Sequence, residues 1–232
     1  MRAHDLLGRA PGWERANDLG VHESLNAQLR GDWLALADNL ERAMLHCFRE
    51  NVAFVHNGAY LTIPYLIHAA RARGLLLADR WDEARAEVKW CLDTLPASIT
   101  LPLDLVRDLE KKNKKKEAQE LFEQVLEANR KLVKQHPRSA HLHNTLAWLC
   151  AACRRNLAEG RKSAEKAVEL APETPAYRDT LAEILFQQGE KNRAVALMKQ
   201  CVAQDPTRKY YRLQLQRMES GDPKVDLPPQ DQ

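Results

Sequence analysis

The sequence predicts an all-α chain built from repeated pairs of antiparallel helices, and three observations predict it. The C-terminal half echoes itself. Leu157–Pro172 (LAEGRKSAEKAVELAP) aligns with Lys191–Pro206 (KNRAVALMKQCVAQDP) at an offset of 34 residues, setting Gly160 over Ala194, Ala164 over Met198, Ala167 over Cys201 and Pro172 over Pro206. A 34-residue period in helical sequence is that of a helix–turn–helix solenoid, whose units bury their apolar faces against their neighbours. Composition points the same way: 44% hydrophobic and 29% charged residues with only 6% aromatics, the charged ones mostly Glu, Lys and Arg among many Ala and Leu, which favours helix. The last repeat, finally, is punctuated as two helices, with Gly189 between its apolar runs and Pro206 after the second.

The last repeat reads most cleanly. Pro175–Gln188 forms a first helix, with proline in the opening turn where a missing N–H does no harm. Gly189 makes the turn, and Lys191–Gln204 forms a second helix that ends before Pro206. Ala194 falls where the two helices approach most closely. One unit earlier the same places hold Leu146, Ala147, Cys150, Gly160, Ala167 and Pro172. The first helices are 35 residues apart (146 to 181) and the second helices 34 (160 to 194), so one extra residue is expected in the turn near Arg154–Asn156. Leu105, Leu109, Asn113, Ala118, Phe122 and Val125 fit the pattern again, as do Ala72, Leu75, Trp81, Ala84, Val88, Cys91 and Pro96. From Ala118 to Gly160 the spacing is 42, which predicts a Glu117–Gln135 helix about two turns longer than its counterparts and ended by Pro137. Further upstream, Gly31–Asp32–Trp33 reads as an inter-helix turn backed by Leu36, Leu40 and Ala43, with long helices or an insertion around Glu50–Gly58.

These residues resemble the tetratricopeptide repeat pattern of Leu-small-x-x-aromatic/Leu followed by Gly, Ala and Pro, filled here by Leu181, Ala182, Leu185, Gly189, Ala194 and Pro206. The resemblance implies a right-handed α-α superhelix with a C-terminal capping helix. It divides the chain into a degenerate helical region over 1–64 and repeats over 65–206 (about 65–98, 99–137, 139–172 and 175–206). A capping helix over 207–219 and a disordered, proline-rich tail over 220–232 follow.

Charge and composition argue against several functions. A net charge of +3 is too small to imply nucleic acid. No segment approaches the roughly 18 uncharged apolar residues of a membrane span. The first 20 residues mix charges throughout and lack the apolar stretch of a signal peptide. Five cysteines, an odd count, fit free thiols in a reducing compartment, so a cytoplasmic placement is expected.

Chemistry-bearing motifs are few. There is no Gly-rich phosphate loop, HExxH or GxSxG, and neither an active site, a cofactor nor a metal is expected. Cys150-x-x-Cys153, with His141 and His143 nearby, suggests a metal or redox pair that would make a thiol- or metal-dependent enzyme. But Cys150 sits at a repeat core position, and Cys91 and Cys201 share another, where free cysteine packs as a small hydrophobe. Five lysines among Lys111–Lys116 offer an RNA-binding alternative. No aromatic residue interleaves with them for base stacking, so a solvated turn is preferred.

By the resemblance, function lies in a concave groove lined by the first helix of each repeat, making the chain a non-catalytic protein–protein interaction scaffold or adaptor. Its groove positions are His141, Asn144 and Trp148 in one repeat and Asp179, Glu183 and Phe186 in the next. Leu103 and Asp108, with Lys111, take the corresponding places upstream. Asn144 can bond a peptide backbone through both donor and acceptor, and Trp148 can anchor an apolar side chain. The Asp179/Glu183 carboxylates favour a basic partner, so the expected partner is a protein or peptide, basic or apolar. Carboxylates at these positions also argue against the family's clamp for a C-terminal carboxylate. A second setting for the same module is the C-terminal recruitment segment of a larger signalling protein such as a protein kinase.

Overall fold

A run of Ala, Leu and paired charges between turn residues folds as helix wherever its apolar stripe finds a partner. A computed structural model describes residues 23–49 and 59–221, and all of its regular structure is α-helix. The chain divides after Leu95 into two compact units.

Unit 1 holds α1 (23–30), α2 (Trp33–Arg49), α3 (Ala59–Leu77) and α4 (Trp81–Thr94). α2 packs on α3 and α3 on α4. The α2–α3 contact is close at Gly74, where a Cβ would stand 2.7 Å from the Leu34 Cγ. Ala27, Leu36, Ala37, Ile67 and Ala70 form one core, with Trp33, Leu40 and Met44 against it. Ala72, Leu75, Trp81, Ala84, Val88 and Cys91, the repeat positions read from sequence, are all buried. The insertion expected around Glu50–Gly58 lies outside the described residues.

Unit 2 holds α5 (Thr100–Lys111), α6 (Lys115–Gln135), α7 (Ala140–Cys153), α8 (Leu157–Leu170), α9 (Pro175–Gln187), α10 (Lys191–Gln204) and α11 (Lys209–Ser220). The helices pair as α5/α6, α7/α8 and α9/α10, and each pair packs on the next through α6/α7 and α8/α9. The first helices also touch in sequence, α5 with α7 and α7 with α9, and α11 lies on α10. This nearest-neighbour packing is that of a helical-repeat array, closed by the capping helix expected from sequence. The proline-rich tail beyond Gly221 lies outside the described residues.

One turn geometry recurs at every helix pair. Gly31, Asp79, Asn113, Arg154 and Gly189 all have positive φ, between 50° and 90°. At each, the positive-φ residue donates its N–H to the carbonyl three residues back, and the next residue donates to the carbonyl five back, as in Glu190 to Leu185 at 2.9 Å and Lys114 to Leu109 at 2.9 Å. These paired bonds satisfy the carbonyls that a helix end leaves without partners. Only two of the five positions carry the glycine that left-handed backbone favours. The extra residue near Arg154–Asn156 is present: α8 opens three residues after Arg154, whereas α10 opens two after Gly189, and Asn156 is itself left-handed at φ 50°. α6 has 21 residues against 14 in α8 and in α10. Seven of the eight residues added to the period therefore lie in α6, and the eighth is that additional turn residue.

Ala118 and Ala194 are fully buried, and Gly160 occupies the same place in the middle repeat. A Cβ on Gly160 would stand 2.7 Å from the Cys150 Cβ, which explains why the smallest residue sits there. Ala194→Leu is accordingly expected to overpack the α9/α10 contact and destabilise unit 2 by about 1–3 kcal/mol. An unchanged thermal midpoint by circular dichroism would contradict the closeness of that contact.

Ion pairs stitch successive repeats on the outside of this core. Arg130 of α6 grips Glu159 of α8 through two hydrogen bonds of 2.8 and 2.7 Å, Arg155 reaches Glu110 at 2.7 Å, and Arg161 pairs with Glu190. The Arg130 guanidinium holds the Glu159 carboxyl below its ordinary range. Partly exposed, these pairs fix geometry more than they add stability. Among the described residues no helix is long and apolar enough to cross a membrane.

Candidate functional site

α7 is opened by Ser139, whose Oγ accepts from the Leu142 N–H at 3.3 Å. From that start, His141, Asn144 and Trp148 fall one helical turn apart on one side of the helix. His141 is exposed, and Asn144 and Trp148 are half-buried. Trp148 packs against the core that contains Leu181, Ala182 and Phe186, so its ring is partly structural. The Asn144 Oδ1 is buried and accepts no hydrogen bond, a state that carries a desolvation penalty until a donor arrives.

The α9 positions have a different environment. Asp179, Glu183 and Phe186 are 6%, 0% and 2% exposed, because α11 lies over them and supplies their partners. Gln214 donates to Asp179 Oδ1 and to Glu183 Oε2, each at 3.4 Å. Arg217 bonds Glu183 through its Nη2 and Gln214 Oε1 through its Nε at 2.8 Å. The Arg217 guanidinium also stands over the Phe186 ring, 5.0 Å from its centre, a cation–π contact. From the α9 side, Gln187 donates to Glu183 Oε1 at 2.7 Å and to the Ala151 carbonyl at 2.9 Å, tying α9 to α7. The carboxylates expected to receive a partner's cation thus already hold one from the chain itself. Leu103 and Asp108, the upstream groove positions, are also buried, with the Lys111 Nζ 3.9 Å from Asp108 Oδ1.

Burial pushes the Asp179 carboxyl up to about 7, and the neighbouring Glu183 adds to the rise, against the hydrogen bonds from Gln214 and Tyr210. Burial and the same two carboxylates push the Tyr210 phenol up as well.

Tyr210, Gln214 and Arg217 lie outside the groove positions of the repeat pattern. Their spacing held the signal: Tyr210, Gln214 and Arg217 are four and three residues apart and so share a face of α11. Polar residues on the one face of a capping helix that must be covered call for buried partners.

The three cysteines at repeat core positions pack as the pattern predicts. Cys91, Cys150 and Cys201 are buried, and burial pushes each thiol up to about 12; Cys153, half-buried, is pushed up to about 11. Such thiols hold little of the nucleophilic thiolate at neutral pH. No group of three His, Cys, Asp or Glu among the described residues is arranged to hold a metal ion. The lysine run occupies the α5–α6 turn, where Lys116 lies 3.9 Å from Glu120, and Arg155 from the neighbouring turn stands over the Phe122 ring at 5.4 Å.

Comparison with known proteins places this architecture. The sequence pattern of the tetratricopeptide repeat family matches residues 177–208, which span α9, α10 and the turn into α11. Among solved structures, the chain is similar to a thermophilic tetratricopeptide repeat protein of Thermus thermophilus, at 21% identity over 90% of this chain and 97% of that one, with a TM-score of 0.50. It is also similar to a tetratricopeptide repeat protein of Parabacteroides merdae, at 12% identity over 89% and 73% of the two chains, with a TM-score of 0.49. No curated protein matches the sequence. With the recurring turns, the nearest-neighbour helix pairs and the matched segment on the page, residues 177–208 form a tetratricopeptide repeat within a chain that has the fold of a helical-repeat array.

Proposed function

We propose that the chain is a non-catalytic protein–protein interaction scaffold, and that unit 2 receives a partner peptide or helix along the first helices of its repeats. The observation that carries this reading is the Asn144–Trp148 pair on α7. A half-exposed indole stands one turn from a buried amide oxygen that accepts no hydrogen bond. An extended peptide laid across α7 would donate a backbone N–H to that oxygen and rest an apolar side chain on the ring, which satisfies one group and covers the other.

The test is an affinity capture with the full chain as bait, followed by titration of the captured protein. Trp148→Ala is expected to weaken binding about tenfold or more, as truncation of a buried aromatic anchor does, and Asn144→Ala to weaken it less. Binding unchanged by both substitutions would move the partner off this face. Charge reversal at Asp179 or Glu183 is unsuited to the purpose, because both side chains are buried against α11 and the variants would report folding instead.

A further inference from the structure

The α3/α4 pair of unit 1 holds one histidine in a fixed orientation. His68 lies near the middle of α3, and its Nδ1 stands 2.5 Å from the Glu87 Oε2 of α4. An ionised carboxylate only accepts, so Nδ1 carries the ring proton and donates it. The imidazole also stacks on the Trp90 indole, with ring centres 3.8 Å and planes 24° apart. Glu87 and Trp90 are three residues apart and share a face of α4, so one helix holds the ring by its edge and by its plane. The other edge is open. No described residue hydrogen-bonds Nε2, and that atom is not enclosed; the His68 and Glu87 side chains are 27% and 19% exposed. With the proton fixed on Nδ1, Nε2 keeps its unshared pair. An imidazole held at one nitrogen and open at the other is a metal ligand, a general base or a nucleophile. Among the described residues no group of three His, Cys, Asp or Glu is arranged to hold a metal ion, and no described hydroxyl or thiol bonds Nε2 for it to activate. The nucleophile remains.

We propose that His68 is a phosphoryl-acceptor site, modified on Nε2 by a donor that carries its phosphoryl group on nitrogen, a phosphoramidate. The Nε2 lone pair attacks phosphorus and forms the new N–P bond. The donor's own P–N bond breaks, and its electron pair leaves with the donor nitrogen, which is already protonated and departs as a neutral amine. The His68 ring takes up the formal positive charge. Its Nδ1–H stays in place toward Glu87, whose carboxylate offsets that charge as it develops. One N–P bond replaces another, so the transfer needs no further reactant. Glu87 is a positioning residue: by holding the proton on Nδ1 it decides which nitrogen reacts. Arg71, one turn along α3 and paired with Glu41 at 2.7 Å, is a basic group on the same side of the helix as His68.

The probe is potassium phosphoramidate, incubated with the full chain at about pH 8, above the ordinary range of imidazole. The gain of an acid-labile phosphoryl group is followed site by site by mass spectrometry. His136 and His141 are exposed and His68 is half-buried, so accessibility alone would place His68 behind them. Instead His68 is expected to react about tenfold faster than either, or more. Nuclear magnetic resonance of the product is expected to show phosphorus on Nε2 from the earliest time point. Both readouts use the native chain and stand whatever a substitution does to folding. Glu87→Gln still accepts from Nδ1–H but carries no charge. It is expected to keep the Nε2 attachment and to slow the reaction about threefold or more. Glu87→Ala is expected to lose the preference for Nε2, a change that loss of packing alone would not produce. A His68 rate no greater than that of His136 or His141, early attachment at Nδ1 in the native chain, or a Glu87→Ala product still confined to Nε2 would overturn the proposal.

Discussion

Arg217→Ala is expected to destabilise unit 2 by about 3–5 kcal/mol, because it removes the cation from a carboxylate that water cannot reach. Glu183 is fully buried and Arg217 is 7% exposed, so neither partner recovers its hydration when the other is lost. The same change takes the guanidinium off the Phe186 ring and leaves Gln214 Oε1 without the Arg217 Nε donor. Chemical denaturation of the full chain, followed by circular dichroism, measures the loss. The double variant Arg217→Met, Glu183→Leu is the informative control. Replacing a buried pair together by apolar groups of similar size is often neutral, so most of the stability is expected to return. If Arg217→Ala unfolds at the parent's denaturant midpoint, the guanidinium is not the partner Glu183 depends on.

The second large effect is on pH dependence. Asp179 is held up at about 7 in the folded chain, against about 3.9 for an aspartate in an unfolded one. A carboxyl raised on folding keeps its proton in the native state after the unfolded state has released it. Its contribution is fully present below about pH 4 and is lost as pH rises through 7. Unit 2 is therefore expected to weaken between pH 4 and pH 7 and to level off above, each unit of the difference being worth about 1.4 kcal/mol. Asp179→Asn keeps the shape and removes the proton. The variant is expected to melt higher than the parent at pH 8, match it near pH 4, and show a flatter profile between them. Parallel melting curves for the two proteins across that range would contradict the buried carboxyl as the source.

The array was legible in the sequence because its signals are local. Leu181, Ala182, Leu185 and Ala194 lie at fixed offsets within one helix pair, and all are buried as that pattern requires. The turns were half legible. Gly31 and Gly189 announce theirs, and Asp79 and Asn113 are of the two types that most readily follow glycine into the left-handed region, whereas Arg154 adopts it with a side chain that does not advertise it. The environment of the groove residues was less legible still. Asp179, Glu183 and Phe186 sit at partner-facing offsets of their own helix, but what covers them arrives from α11, some thirty residues later. Repeat offsets describe how a helix faces its own unit. They carry no information on whether a later segment of the chain takes the place of a partner.

The length of α6 has a further consequence. Its seven added residues make nearly two whole turns, and a heptad falls short of two turns by only about 20° of rotation. The helix therefore leaves its repeat pointing in almost the direction a 14-residue helix would, but about 10 Å further along. Chain length in this family of shapes can thus vary in heptads while the azimuth of every following helix is preserved. One residue more or fewer inside α6 would rotate all that follows by about 100° and uncouple α7 from its neighbours, so tolerance to insertion here is a matter of phase rather than of space.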